Sequence, residues 1–457
     1  MSSSILASRY PAKLHFENVL KQLPQSIVSA KGAVIAVAGN PTPLRYGTDV
    51  ELDFRQNQDF VYLTGAEEHD FAVVYDIAAR KLVLIAPRIS NDEAVWIGVP
   101  PTASELSAKY ECDELRYNDE LSQVLAELNP TAIYMLNSQD PAKVLPSEFV
   151  ALADTSDALI EAIHEARMFK TPYEVELMRH ANKVSSEAHA ELMKNVRTGI
   201  NERHLHALFK DYCFRNELFN QAYNAIVGRG TNAAILHYGK NSADITNESD
   251  VVLVDAGGEY RGYASDITLG KKFTDDARFV YETVLDMQHT VLGELKPGVQ
   301  WEDMHRLAES RLLDALYKSG IVNSTVPKSK AVELHVPAIF FPHGLGHSIG
   351  IDVHDTNGYP KGVERIQEPG IRYLRMRRQL QPGMVVTVEP GFYFVDMLID
   401  EALGKPEFEG VFNVEVLNRF RKVGGVRIED NVLITENGID NLTIAPKTVA
   451  EIEALRQ

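Results

Sequence analysis

An α/β domain followed by a larger α+β domain is the architecture this sequence predicts, and three observations predict it. A length of 457 residues exceeds what one ordinary hydrophobic core organises, so two domains are expected. Short apolar runs alternate with charged helical stretches through the first third of the chain, the pattern of an α/β layer fold. Beyond it, long amphipathic helices are segregated from strand-like hairpins, which marks an α+β domain.

The elements follow in order. Residues 33–38, 60–63, 71–75, 82–86 and 132–136 read as buried strands, and 103–110 and 120–128 as helices between them. An amphipathic run covers 156–169 and stops at Lys170-Thr171-Pro172. Thr171 has the character of an N-cap, with Pro172 at the first helical position and Glu174 at the third. Val175, Met178, Ala181, Ala188 and Leu192 continue that helix at helical spacing. The domain boundary is therefore drawn near residue 165, giving domains 1–165 and 166–457. Residues 251–256 and 262–269 read as strands around a tight turn. Thr274 caps a helix carrying Val280, Val284, Met287 and Val291, and a further helix is expected over 302–317. The chain from Gly383 onward returns to strands, in MVVTVEPGFYF and GGVRIEDNVLIT.

Bulk properties exclude several functions. A net charge of −18 is unsuited to nucleic acid, which needs basic surface to displace counterions. Two cysteines, Cys112 and Cys213, make no disulfide framework and suit a reducing compartment. No run reaches the ~18–20 apolar residues of a membrane span, and the first residues lack a secretory pattern. A cytoplasmic protein without membrane attachment is expected.

Chemistry-bearing residues concentrate in the second domain. Asp255 and Asp266 lie in the strands joined by 257–262. A turn centred between Tyr260 and Arg261 would set them directly opposite, with Cβ atoms ~4.5–5.5 Å apart. Carboxylates that close repel unless a cation or a shared proton sits between them. His343, His347 and His354 fall within FFPHGLGHSIGIDVHD, laced with Gly344, Gly346 and Gly350 that permit close approach. Phe340 and Phe341 are expected to pack this loop on the core. Glu389 closes the strand 384–388 ahead of Pro390, and in VRIED Arg427 and Glu429 share one face of a strand. Four carboxylates with imidazole are hard donors that suit Mn²⁺, or Co²⁺ or Zn²⁺. One cation would leave much of their charge uncompensated, so two are expected; two ions ~3.5–4 Å apart activate water and polarise a carbonyl. That is hydrolytic chemistry.

HYGK (237–240), VDAGGEYRGYASDIT, FFPHGLGHSIGIDVHD, QPGMVVTVEPGFYF and GGVRIEDNVLIT occur in that order, and FRQNQDFVYLTG covers 54–65. In these strings the chain resembles the proline-specific pita-bread metallopeptidases, aminopeptidase P and prolidase. The resemblance implies a pita-bread catalytic domain behind a smaller domain of the creatinase/aminopeptidase P N-terminal type. It implies Asp255, Asp266, His347, Glu389 and Glu429 as ligands of two divalent ions, with Glu389 also handling the proton of the attacking water. His343 would support the site; His237 and His354 would contact substrate and stabilise the tetrahedral intermediate. Arg427 matches the arginine beside the last ligand, Arg375 the one that grips a dipeptide's carboxylate, and Tyr223 an aromatic near the site. Substrates would be proline-containing peptides, and a homodimer is common among relatives of this architecture. A prolyl nitrogen has no N–H, which handicaps peptidases that rely on that donor.

Two features depart from the family pattern: Leu269 where many relatives carry Arg, and a segment 322–337 suited to a site rim or a subunit contact. The N-terminal signature favours an Xaa-Pro aminopeptidase, and Arg375 favours a strict Xaa-Pro dipeptidase. A non-catalytic binding module is disfavoured, because all five ligand positions match and the chain is acidic. Methionine removal and creatine hydrolysis are disfavoured by the VHD motif and the N-terminal signature.

Overall fold

β-Branched apolar runs build the first sheet of the computed structural model, which describes residues 5–247, 250–269 and 274–455. The chain divides into two units, one ending at Arg167 and the other beginning at Met168. In the first, β1 (Ala33–Ala38), β2 (Ala72–Asp76) and β3 (Lys81–Ala86) form an antiparallel meander. β4 (Glu114–Tyr117), β5 (Ala132–Tyr134) and β6 (Ala153–Asp154) join it in parallel, giving the order β4-β3-β2-β1-β5-β6. Val34, Val74 and Ile85 of the sheet pack with Val124 and Leu125 of the helix Leu121–Leu128.

One expected strand is a helix. Residues 60–63 lie inside the helix Gln58–Thr64, because Asn57 accepts a hydrogen bond from the Phe60 N–H and Gly65 ends the turn at φ 69°. A four-residue apolar run fits a buried helix as well as a buried strand, and the caps decide.

The second unit opens on the helix Pro172–Asn195, started by the Thr171/Glu174 capping box. Helices Glu202–Arg215, Asp275–Glu294 and Trp301–Lys318 follow; Thr274 caps the third of these four by accepting from the Ala277 N–H. The apolar faces of Asp275–Glu294 and Trp301–Lys318, joined by Met193 of the first helix, close over short antiparallel ladders in one core. β7 (Asn220–Gln221), β8 (Ile226–Arg229), β9 (Val252–Asp255), β10 (Gly258–Tyr260), β11 (Tyr263–Ala264) and β12 (Thr268–Leu269) make the first group. β13 (Val385–Val388), β14 (Gly391–Tyr393), β15 (Gly425–Arg427), β16 (Asp430–Thr435) and β17 (Gly438–Asn441) make the second. Among the described residues no helix is long and apolar enough to cross a membrane.

Two registers position the site. In the hairpin, Tyr260 pairs with Tyr263, so the turn residues are Arg261 and Gly262, both at positive φ (47° and 81°). Asp255 consequently faces Thr268 and not Asp266. Asp266 stands two positions before that partner, so the two aspartates are diagonal neighbours on one face. In the second group, Val388 pairs with Asp430 and Gly391 with Arg427 in one continuous register. Glu389 and Glu429 therefore stand opposite each other, where both strands are interrupted. Glu429 lies in this break rather than inside a strand as expected from VRIED.

Candidate metal centre

Tyr223, His237, Asp255, Asp266, His343, His347, His354, Arg375, Glu389, Arg427 and Glu429 all line one cavity of about 1320 Å³ in the second unit. Glu333, Leu334 and His335 of the segment 322–337 line it as well. The side chain of Leu269 lies outside the described residues.

His347 is the centre of the cluster. Its Nε2 lies 3.4 Å from Asp266 Oδ2, 3.6 Å from Glu389 Oε1 and 3.9 Å from Glu429 Oε1. Its Nδ1 donates to the Ser348 carbonyl at 2.9 Å, which leaves Nε2 aimed at the carboxylates. Its backbone N–H donates to Thr387 Oγ1 at 3.0 Å, tying the loop to β13. Gly346 is what allows that approach: a Cβ there would meet the Thr387 carbonyl oxygen at 2.1 Å. Phe340 and Phe341 are fully buried beneath the loop, as expected. His354 stacks edge-on against His347, ring centroids 4.5 Å apart.

The second side of the cluster is a directed hydrogen-bond chain. Arg427 donates to Asp255 Oδ2 and, at 2.8 Å, to the Tyr393 hydroxyl. His343 Nδ1 faces the Gly344 carbonyl at 2.8 Å and must donate to it, so its Nε2 accepts from the Tyr393 hydroxyl at 2.9 Å. Asp266 is fixed through its backbone: its N–H donates to Asn431 Oδ1 at 3.2 Å and its carbonyl accepts from Asn431 Nδ2.

Burial sets the electrostatics. It raises Glu389 to about 7, partly offset by His347 and reinforced by Asp266. Burial, then the charges of Asp266 and Glu389, raise Glu429 well above the carboxylate range. Burial also raises Asp255, against the opposing pull of Arg427. Burial alone would lower His347, but the contacts with Asp266 and Glu389 raise it, and the same imidazole outweighs burial to lower Asp266. Burial takes His343 and His354 down to about 3, so both are neutral. Four carboxylates crowded out of water need cationic compensation, and Asp255 Oδ1 is buried without a hydrogen-bond partner. Asp266, His347 and Glu429 can converge on one ion. This donor set fits divalent cations.

Sequence reasoning missed Tyr393 and Asn431. Tyr393 was legible only as an aromatic in PGFYF; its role depends on three-dimensional proximity to His343 and Arg427. Asn431 carries no motif at all.

Two family profiles match the chain: metallopeptidase family M24 over residues 176–436, and the aminopeptidase P N-terminal domain over 15–134. The chain is 42% identical to the Xaa-Pro dipeptidase of Homo sapiens, covering 96% of this chain and 92% of that protein. It is 39% identical to a probable Xaa-Pro aminopeptidase of Uncinocarpus reesii, covering 99% and 96%. The structure of Pseudomonas aeruginosa aminopeptidase PepP superposes with a TM-score of 0.79 at 29% identity over 98% of both chains. Escherichia coli aminopeptidase P with the inhibitor Pro-Leu gives 0.78 at 28% identity, again over 98% of both.

Proposed function

The chain belongs to metallopeptidase family M24, and from that premise we propose that it is an Xaa-Pro aminopeptidase releasing the residue ahead of a penultimate proline. The observation that carries this choice is the cavity. At about 1320 Å³ it exceeds the roughly 300–1,000 Å³ of ordinary small-molecule pockets. Besides Arg375 its wall includes Val395, Leu398 and Ala402, and a volume of this size supports room for peptide beyond the prolyl residue. A strict Xaa-Pro dipeptidase is the second reading, favoured by Arg375 in the cavity wall and by the 42% identity to a dipeptidase.

Asp255, Asp266, His347, Glu389 and Glu429 are assigned as the residues that hold two divalent ions, Mn²⁺ by the preference of hard oxygen donors with one nitrogen. Such ions supply Lewis acidity at the scissile carbonyl and acidify water. Glu389 Oε takes the proton of the attacking water, beside the ions that acidify it. His237 and His354 present N–H donors to the developing oxyanion. His343 is held neutral between Tyr393 and Gly344 and orients the wall beside Glu389, 3.9 Å away. Arg427 offsets the charge on Asp255, and Tyr223 packs beside the aspartates. Arg375 binds a substrate carboxylate. The net charge of −18 and the two unpaired cysteines support a cytoplasmic peptidase without nucleic-acid partners, and a homodimer is the assembly proposed.

The test compares kcat/KM on Ala-Pro, Ala-Pro-Pro and a longer Ala-Pro peptide. Cleavage of all three supports the aminopeptidase; cleavage of Ala-Pro alone makes the protein a dipeptidase.

A further inference from the structure

Pro390 sits in the continuous register of the ladder that carries Glu389 and Glu429, opposite Ile428. A proline cannot donate, so the Ile428 carbonyl loses the ladder partner that any other residue at 390 would supply. Left bare in a buried ladder, that carbonyl would forfeit its hydration with nothing in return. The missing donor comes from elsewhere. Gln288, on the helix Asp275–Glu294 and fully buried, reaches the break with its side-chain amide. Its Nε2 lies 3.2 Å from the Ile428 carbonyl oxygen and 3.2 Å from the Val388 carbonyl oxygen. These are the residues immediately preceding Glu429 and Glu389.

We propose that Gln288 is a positioning residue of the metal centre: its amide replaces the absent Pro390 N–H and clamps the two strands where Glu389 and Glu429 face each other. The two amide hydrogens hold one carbonyl on each strand. A long ladder bond, from the Ile428 N–H to the Pro390 carbonyl at 3.4 Å, also crosses the break, and the Gln288 amide reinforces it without touching either glutamate. Without the clamp the strands can part at the break, and the glutamates then no longer converge on ions shared with His347 and Asp266. The inference rests on the metallopeptidase reading, and it assigns to this helix a role beyond covering the core.

The test uses the full-length protein stripped of metal and titrated with Mn²⁺ and, separately, with Co²⁺. Gln288→Met keeps the volume and removes both donors; Val291→Ala, on the same helix and buried but with no side-chain donor to lose, reports loss of packing alone. The expected result for Gln288→Met is a dissociation constant raised about tenfold or more for at least one ion. Altered visible Co²⁺ bands and a fall in kcat with KM unchanged are expected alongside. Val291→Ala should lower the melting temperature of the stripped protein and leave ion affinity native. Should Gln288→Met not fold, Gln288→Asn, whose amide is one methylene too short to span both carbonyls, is read by the same measures. Native affinity, stoichiometry and Co²⁺ spectrum in the folded variant overturn the proposal. Failure of the unaltered protein to bind divalent ions would instead overturn the metallopeptidase reading beneath it.

Discussion

Glu389 shows how a single residue ties the site's fold to its chemistry. Its carboxyl is raised to about 7, chiefly by burial, and burial likewise raises Glu429 well above the usual carboxylate range. In the cation-free protein, protonation of carboxyls raised in this way extends towards neutral pH, and those protons must be released to bind ions. Uptake of Mn²⁺ is therefore expected to release protons near pH 7, and its affinity to fall as pH drops below about 7. Calorimetric titration in buffers of different ionisation enthalpy measures this; a heat independent of buffer would contradict it. At this scale the sequence was most legible where residue type and motif coincide, as for the aspartates, glutamates and histidines of the cavity. Tyr393, Asn431 and Gln288 were not legible. Their partners are a hydroxyl's neighbours across the fold or backbone carbonyls, and no spacing along the chain encodes either.

Elements carry those residues to one place, and their registers are where sequence reasoning slipped. Centring the hairpin one residue early set Asp255 opposite Asp266; the Arg261-Gly262 turn makes them diagonal instead. Runs with strong caps or β-branched patterning were read correctly, as at Thr171 and 33–38, whereas the short run 60–63 held too few turns to reveal a helix. One link between elements invites a direct test. Lys170, just before the helix Pro172–Asn195, meets Asp355 at 2.9 Å, with both side chains 1% exposed. Asp355 follows His354, so this pair fixes the end of the histidine loop to the start of the catalytic unit. Lys170→Met removes the ammonium that faces a buried carboxylate, and about 3–5 kcal/mol of stability is expected to go with it. Urea unfolding of the stripped protein measures the loss, and a change below about 1 kcal/mol would contradict the assignment. Peptidase activity should fall in the same variant, since His354 loses its anchor.

On the scale of the whole molecule, the two units answer to different chemistry. Among the described residues the first holds no acid–base cluster resembling that of the cavity, but it buries His15, whose imidazole is pushed down to about 3, mainly by burial and against the opposing charge of Glu111. Its unfolded form binds a proton below about 6.5, while the folded form stays neutral to about 3. The stability contributed is thus present above pH 6.5 and lost as pH falls through 3, with a slope near 1.4 kcal/mol per pH unit in between. Urea midpoints of the first unit, followed by pulsed amide exchange at β1–β3, should show that slope in the native chain and a shallower one in His15→Gln. The second unit answers to divalent ions, and on this the account depends. The most direct measurement is the release of alanine from Ala-Pro-Pro by chelator-stripped protein as Mn²⁺ is titrated back. No release is expected from the stripped protein, and recovery should saturate at about two equivalents. Release undiminished by stripping, or none with ions bound and the fold intact, would contradict it.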